Sequence, residues 1–342
     1  MKTLQTIISI ALFYWSPLSV AHGEEVRIQF FGDTFLSYYA MTQSKTTVSD
    51  PRMFQEVRGL LEEADLNIVN FEGVATHAFV PYQLKRFVLQ MPLRSAVILR
   101  KVGIHAATLA NNHVLDYGIQ GMFDTFYAMD RVGIRYFGAG FSAEEANKPL
   151  ILTVGDLSFC FFSLSRTLPS SFWAKGDAPG TSHLSYEDTA AGIEACVNDG
   201  HITIPVFHWG EELAPVPKAY QVSLAKLAVK SGAAAVIGHH PHVLQDIHFV
   251  AGTPVLYSIG NFAFGTLSGS NKQEGLAAQL VTDGKSTRME LIPLNVSNRE
   301  TNFVVRPITD PTLDPIKARL PEKHPCVWHQ KKTRWVCGLP SS

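Results

Sequence analysis

Six short apolar runs, each followed directly by polar residues, dominate the hydrophobic pattern of this chain. They are rich in Val, Ile, Phe and Ala, and glycine lies close to most of their ends. The runs and the polar residues after them are 26–31 with Gly32 and Asp33, 66–69 with Asn70 and Glu72, 106–110 with Asn111, Asn112 and His113, 202–207 with His208 and Glu211, 233–237 with His240 and His242, and 254–259 with Asn261. Short runs of this kind are typical of strands buried on both faces.

The polar residues all follow the same end of their runs. If the predicted strands lie side by side, these side chains converge on one edge, which is where α/β proteins place their chemistry. A polar turn explains any single run end equally well. The recurrence at all six ends favours a functional site.

Helical and hairpin patterns occupy much of the remaining chain. Four segments have one apolar face at helical spacing and are predicted to be helices: 53–64, 93–102, 122–132 and 215–230. Two hairpins are predicted: 150–163, turning at Gly155 and Asp156, and 276–296, turning at Asp283 and Gly284. Parallel α/β units followed by hairpins fit two sheets packed face to face with helices outside.

Two segments, 73–92 and 165–184, have little periodicity, and we expect loops over the strand ends there. Their basic residues could meet an anionic substrate or could simply be solvated: Lys85, Arg86, Arg166 and Lys175. With 342 residues, 46% of them apolar, the chain is long enough for one large domain.

The residue types at the run ends indicate a metal site. Carboxylate, imidazole and carboxamide groups are ligands for divalent ions such as Zn, Mn and Fe. His240 and His242 lie on the same side of an extended segment, because side chains repeat every second residue. No cysteine is among these residues, which argues against a structural zinc site. Two metals bridged by a carboxylate would suit displacement at phosphorus.

The spacing of these residues also resembles a known family. The motifs are Gly-Asp at 32–33, Asn-x-Glu at 70–72, Asn-Asn-His-x-x-Asp-x-Gly at 111–118, His-Trp-Gly-x-Glu at 208–212, His-Pro-His at 240–242 and Gly-Asn-Phe at 260–262. They resemble, in order, those of the bacterial capsule-synthesis (CapA-like) family, some of whose members are named for poly-γ-glutamate production. That family is similar to the calcineurin-like metallophosphoesterases. The resemblance implies an α/β fold, a four-layer α/β/β/α sandwich, over residues 22–305.

The resemblance also implies roles for individual residues. The metal ligands would hold one or two divalent ions (Mn, Zn or Fe): Asp33, Glu72, Asn112, His208, His240 and His242. His113 would protonate the leaving group, and we assign Asn111 and Asp116 to catalysis beside it. Asp116 could instead cap the helix that begins near Gly118. We assign four residues to substrate binding: Asn70, Glu211, Asn261 and the loop residue Arg86.

One position departs from the phosphatase pattern. Metallophosphoesterases usually have a histidine two residues after the first aspartate, and this chain has Phe35. Three explanations stay open. The second metal could be held weakly, the site could be mononuclear, or another residue such as Glu212 could substitute.

The N-terminal segment predicts export. Lys2 precedes an apolar segment at 7–15, and Ser19, Val20 and Ala21 form a small-residue cleavage point, so residues 1–21 resemble a signal peptide. An uncleaved anchor is the alternative, although the segment is short for a membrane span. We therefore expect a periplasmic or extracellular protein. The mature chain would carry 28 basic and 30 acidic residues, a net charge of −2 that gives no indication of nucleic-acid binding.

Cysteine spacing agrees with export. Cys326 and Cys337 enclose a short loop in the C-terminal extension, residues 306–342, and we expect them to form a disulfide. Such a loop would contribute roughly 2–3 kcal/mol of stability. We expect Cys160 and Cys196 to be buried thiols instead.

Two functions of different classes follow. The first is an exported metal-dependent hydrolase that acts on a phosphoester in an envelope polymer or its precursor. The second is a non-catalytic envelope protein that binds an anionic polymer such as poly-γ-glutamate and assists its export or attachment, with a capsule-synthesis membrane complex as a candidate partner. His113 favours the hydrolase, because a protein that only binds metal needs no proton donor there. Phe35 favours the binder, because it replaces a histidine of the phosphatase pattern. Hydrolysis or transfer at an amide bond remains a third possibility.

Overall fold

The computed structural model describes residues 25–83, 85–266 and 274–339. The predicted signal peptide lies outside these ranges. Among the helices in them, none combines the length and the apolar composition needed to cross a membrane.

The described residues form α-helices, short 3-10 helices and strands. The α-helices are α1 (Tyr38–Gln43), α2 (Arg58–Glu63), α3 (Arg94–Lys101), α4 (Gly118–Val132), α5 (Ala143–Asn147), α6 (Tyr186–Asn198), α7 (Ala219–Lys230) and α8 (Asn298–Thr301). The 3-10 helices are Arg52–Val57, Ser170–Phe172 and Pro311–Leu313. The strands are β1 (Val26–Phe35), β2 (Leu66–Phe71), β3 (Val74–Ala75), β4 (Gln90–Met91), β5 (Ala106–Thr108), β6 (Arg135–Phe137), β7 (Ala139–Gly140), β8 (Leu150–Val154), β9 (Leu157–Ser165), β10 (Gly180–Thr181), β11 (Ile202–His208), β12 (Val236–His239), β13 (Ile247–Val250), β14 (Thr253–Leu256), β15 (Asn261–Phe264), β16 (Glu274–Thr282), β17 (Thr287–Asn295), β18 (Arg306–Pro307), β19 (Cys326–His329) and β20 (Arg334–Gly338).

Two large sheets organise the fold. The first has the order β19-β20-β17-β16-β1-β2-β5-β6, with β15 beside β1 and β18 beside β17. The second has the order β13-β14-β12-β11-β9-β8. Strands β1, β2, β5 and β6 are parallel to one another, as are β9, β11, β12 and β14. The six apolar runs of the sequence therefore supply central parallel strands in both sheets.

The two sheets pack face to face. Phe30 and Ile68 of the first sheet share one buried cluster with Phe161 and Ile204 of the second. The rings of Phe30 and Phe161 meet edge to face with centroids 6.0 Å apart. Successive residues of a strand point to opposite faces, so the neighbouring Phe31 faces away from the second sheet.

Helices cover both outer faces. Phe31 belongs to the cluster that includes Leu99 of α3 and Met122 of α4. On the far side, Phe207 of β11 packs in a cluster with Leu224 of α7. The resulting order of helix, sheet, sheet and helix agrees with the predicted α/β sandwich.

Most predicted elements are present, with shifted ends. Both hairpins form as predicted, β8 with β9 and β16 with β17. Helix α7 begins at Ala219 rather than 215, after Pro215 and Pro217. The helix predicted at 53–64 is instead a 3-10 helix followed by α2. The strand predicted from the last apolar run, β14, ends at Leu256. The chain then crosses to the first sheet, where β15 pairs with β1.

The C-terminal extension continues the first sheet. Its hairpin, β19 and β20, pairs through β20 with β17. Cys326 and Cys337 lie opposite each other in the hairpin and are bonded, which is the expected pair. Arg334 fixes the hairpin to Glu290 of β17 at 2.9 Å and to Glu63 of α2 at 2.8 Å.

The expectation of two buried thiols at Cys160 and Cys196 is wrong, because the structure joins them in a second disulfide. Cys160 lies in β9 and Cys196 in α6, which packs on that strand. Packing brings their Cα atoms to 6.1 Å although they are 36 residues apart. The spacing of these two cysteines in the sequence does not predict that contact.

Candidate metal centre

The predicted convergence of polar residues occurs where the two sheets meet at the carboxyl ends of their parallel strands. In the first sheet Asp33 pairs with Asn70 of β2 and with Asn261 of β15. In the second sheet His208 pairs with His239 of β12. Gly32 permits the approach of β15, because a Cβ atom there would lie 2.1 Å from the carbonyl oxygen of Gly260.

Two buried asparagines hold the carboxylates in place. The Asn70 amide donates to Asp33 Oδ1 at 2.8 Å and to Glu72 Oε2 at 3.1 Å. Asn111 donates to Asn70 Oδ1 at 3.2 Å and to the carbonyl of Phe71 at 2.9 Å. Both asparagines are fully buried. Through these contacts Asn70 positions the two carboxylates, and Asn111 positions Asn70. The substrate-binding role of Asn70 and the catalytic role of Asn111 stay predictions.

Two groups of potential metal ligands share one residue. One group consists of Glu72, His208 and His240, and the other consists of Asp33, Glu72 and His242. Within each group the ligand atoms lie within 4.8 Å of one another. Glu72 Oε1 is 3.8 Å from His208 Nε2 and 3.5 Å from His242 Nε2. Its carboxylate is therefore placed to serve two adjacent sites.

The donor atoms fit a divalent cation. Among the described residues, Glu72 Oε1 and His240 Nδ1 are buried without any hydrogen-bond partner. Leaving such atoms unpaired in the interior costs about 1–3 kcal/mol each, and more for a charged group. Metal coordination would satisfy them. The mixture of imidazole and carboxylate donors suits Zn, Mn or Fe.

The electrostatics of the site also call for positive charge. Burial raises the pKa of Glu72 well above its usual range, and the charge of Asp33 raises it further. Burial alone would lower the pKa of His242, but the carboxylates of Glu72 and Asp33 raise it to about 10. Burial, together with His242, lowers the pKa of His240 to about 3, and neutral imidazole is the form that binds metal.

The remaining predicted ligand, Asn112, also reaches the first group. Its Oδ1 lies 2.8 Å from His208 Nε2. Phe35 contributes no metal ligand, because a phenyl ring has no donor atom. Its ring packs against that of Phe264, with centroids 5.6 Å apart. Glu212 is exposed and belongs to neither group, so it does not replace the missing histidine.

His239 contacts Asp33, although the sequence pattern assigns it no role. Its Nδ1 lies 3.1 Å from Asp33 Oδ1. Burial would raise the pKa of Asp33, but hydrogen bonds from His239 and His242 hold it well below its usual range. The signal was present in the run of His239 and His240, but alternation along a strand places adjacent residues on opposite sides. His240 has a positive φ of 97°, which breaks that alternation.

His113 is held beside the shared carboxylate. Its Nδ1 lies 2.6 Å from Asp116 Oδ2, and its Nε2 is 3.9 Å from Glu72 Oε1. Asp116 also accepts from the Leu89 amide at 2.8 Å. Burial lowers the pKa of His113, while the bond to Asp116 opposes that shift. The proposed capping role of Asp116 is wrong, because α4 has Tyr117 at its N-cap and no side-chain cap.

Of the four loop cations, Lys85 reaches this histidine. Its Nζ lies 2.5 Å from both Asp116 Oδ1 and the carbonyl of Asn112, and 3.4 Å from His113 Nδ1. Its neighbour Arg86, which is predicted to bind substrate, is exposed and lies over the ring of Phe87. Sequence alone gave no reason to prefer one over the other.

The other two predicted substrate residues lie in different surroundings. Asn261 is buried in the site, with its Oδ1 3.0 Å from His242 Nδ1. Glu211 is exposed and forms an ion pair with Lys218 at the start of α7. The structure therefore brings Asn261 to the candidate centre and leaves Glu211 and Arg86 away from its ligand groups.

The fold and site together define a two-sheet α/β protein with candidate ligands for a divalent metal at the sheet ends. The chain belongs to the family described as bacterial capsule synthesis protein PGA_cap, whose model matches residues 27–266. It is 28% identical over 269 residues to the PGA biosynthesis protein CapA of Bacillus subtilis, covering 78% of this chain and 70% of that one. It is 25% identical over 288 residues to the capsule biosynthesis protein CapA of Bacillus anthracis, covering 82% and 70%. Among solved structures, the NAD nucleotidase of Haemophilus influenzae aligns with a TM-score of 0.43 at 11% identity, covering 83% of this chain and 49% of that one.

Proposed function

We propose that this protein is an exported metal-dependent hydrolase that cleaves a phosphoester in a capsule or envelope polymer, or in its precursor. The carrying observation is the buried Glu72 oxygen, which has no hydrogen-bond partner and lies between the imidazoles of two ligand groups. His113 Nε2 lies 3.9 Å from the same oxygen. A ligand cluster with a proton donor beside it is what hydrolysis needs, whereas a metal site used only for structure has no need of the donor.

Each residue of the centre has a role in this proposal. The predicted ligands would hold the metal: Asp33, Glu72, Asn112, His208, His240 and His242. A divalent ion held there would supply Lewis-acid activation of the phosphoester and of water. His113 in its doubly protonated form would give the proton on Nε2 to the leaving oxygen and become neutral, while Asp116 accepts from Nδ1–H and so fixes the ring orientation. Lys85 would hold Asp116 in turn.

Export and the polymer partner are part of the proposal. Two disulfides in one chain support an oxidising compartment, because disulfides persist there and are rare in the cytosol. The names of the Bacillus relatives, which refer to PGA biosynthesis and capsule biosynthesis, support a capsule polymer such as poly-γ-glutamate. A capsule-synthesis membrane complex would be the partner in this proposal.

The test begins with elemental analysis of the purified mature protein. Phosphomonoesters and phosphodiesters are then screened for hydrolysis with Mn, Zn and Fe supplied. The wild type should hydrolyse at least one class in a metal-dependent manner, and His240→Ala should lose metal and activity together. Metal-loaded protein that hydrolyses no member of either class would refute the hydrolase.

Phe35 supports a second candidate, the non-catalytic polymer binder. A phenylalanine at this position supplies no ligand on the Asp33 side of the centre. In that case His113→Ala should leave capsule or envelope function intact in a complementation assay, whereas ligand variants should abolish it. Loss of function in the His113→Ala strain, with metal retained, would favour the hydrolase instead.

A further inference from the structure

Arg166 lies next to the candidate centre but takes no part in it. It directly follows β9, and its amide donates to the carbonyl of His208 at 2.8 Å. Its guanidinium carbon lies 5.1 Å from the centre of the Tyr186 ring, near the first turn of α6. The backbone of Arg166 thus adjoins a candidate ligand while its side chain faces the aromatic residues of the helix layer.

The Arg166 guanidinium has few hydrogen-bond partners among the described residues. Nη2 donates to the carbonyl of Leu184, and Nε is buried without a hydrogen-bond partner. Within the described ranges no carboxylate lies within ion-pair distance of it. Its titratable neighbours are the phenols of Tyr186 and Tyr220 and the imidazole of His183. Burial lowers the pKa of Arg166, and the phenols of Tyr186 and Tyr220 oppose that shift less strongly.

Other partly buried arginines of this chain do have carboxylate partners. Arg334 bonds Glu290 at 2.9 Å, and Arg288 bonds the same residue at 2.9 Å. A charge that is partly removed from water is retained in proteins when it is paired or when it is used. The isolation of Arg166 therefore points to an anion that the protein itself does not supply.

We propose that the guanidinium of Arg166, which lies over the Tyr186 ring, binds an anionic oxygen group of the substrate, a carboxylate or a phosphate, near the strand end that carries His208. The guanidinium fork matches the paired oxygens of either group. The Trp173 and His183 rings, stacked with centroids 3.6 Å apart, lie beside the cluster and would contact the chain that carries the anion. This subsite rests on the proposed function only for the nature of that chain, an acidic polymer or its precursor.

Calorimetric titration of the metal-loaded protein tests the subsite. The probes are a γ-linked glutamate decamer, the uncharged γ-linked glutamine decamer, and inorganic phosphate. Arg166→Met, which keeps the apolar stem, should weaken binding of the acidic decamer by roughly tenfold or more, since hydrogen bonds to charged groups are the stronger ones. Arg166→Lys should lose part of the affinity, because a point charge replaces the fork. The neutral decamer should not bind.

The matched control is Arg131→Met, at an exposed arginine in the last turn of α4. It should bind like the wild type, and all variants should keep their metal content and melting temperature. Phosphate binding that depends on Arg166, without decamer binding, would support the subsite and identify phosphate as its group. Equal affinities of wild type and Arg166→Met, or no binding of either anion to the wild type, would overturn the proposal.

Failure of the hydrolase proposal is distinguishable from failure of this one. If no phosphoester is cleaved but the acidic decamer binds in an Arg166-dependent manner, the subsite stands and the hydrolase does not. If a phosphoester is cleaved and Arg166→Met leaves binding of both anions unchanged, the hydrolase stands and the subsite is refuted.

Discussion

The sharpest test of the centre is replacement of His113 by alanine. The His113 residue is 4% exposed, its Nδ1 lies 2.6 Å from Asp116 Oδ2, and its Nε2 lies 3.9 Å from Glu72 Oε1. It belongs to neither ligand group, so the variant should keep its metal. A general acid typically contributes a factor of about 10²–10⁴ to the rate. Its loss should therefore raise the activation barrier by about 3–5 kcal/mol.

The cost in stability should be small by comparison. The variant loses one charge-assisted hydrogen bond, worth about 1.5–3 kcal/mol. Asp116 keeps its bonds to Lys85 and to the Leu89 amide, so no buried carboxylate is left without partners. Turnover should thus fall by orders of magnitude while the protein stays folded and metal-loaded.

Turnover is measured on a phosphoester that the wild type cleaves, alongside metal content and thermal melting. His113→Gln, which can hydrogen-bond but cannot deliver a proton at neutral pH, should be equally slow. His248→Ala, a partly buried histidine whose ring packs on Tyr257, is the matched control and should retain wild-type turnover. If His113→Ala kept more than about a tenth of the activity, the assignment of the general acid would be refuted.

Three further predictions concern stability. Removing metal with a chelator should lower the melting temperature by several degrees, because Asp33 and Glu72 then share a buried site without a divalent cation; an unchanged melting temperature would contradict this. Burial, and Arg100 less strongly, lower the pKa of His105 from 6.5 to about 4. The unfolded chain therefore takes up this proton at a higher pH than the folded protein, and the free energy of unfolding falls by about 3 kcal/mol as the pH falls from 6.5 to 4. His105→Gln should flatten that part of the stability–pH curve. The double substitution of Cys160 and Cys196 by alanine should lower the free energy of unfolding by about 3–4 kcal/mol, and a free thiol in non-reducing peptide maps would argue against the bond.

Local patterns in the sequence determined much of this protein. An apolar run bounded by glycine specifies a buried strand through its own residues, so β1, β2, β5, β11 and β12 could be located without a structure. The polar residues that follow these strands could be located too, because they come directly after the apolar runs in the sequence. The family motifs then singled out Asp33, Glu72 and His242 among the many polar residues.

Tertiary structure decided which of these residues meet. Asp116 follows His113 by three positions, and the sequence could not distinguish a helix cap from a bond to the imidazole. Lys85 and Arg86 are adjacent in one loop, and only the path of that loop sends the first to Asp116. Cys160 and Cys196 come together because α6 packs on β9. Contacts of this kind depend on the relative placement of elements distant in sequence, about which the periodicity within each element carries no information.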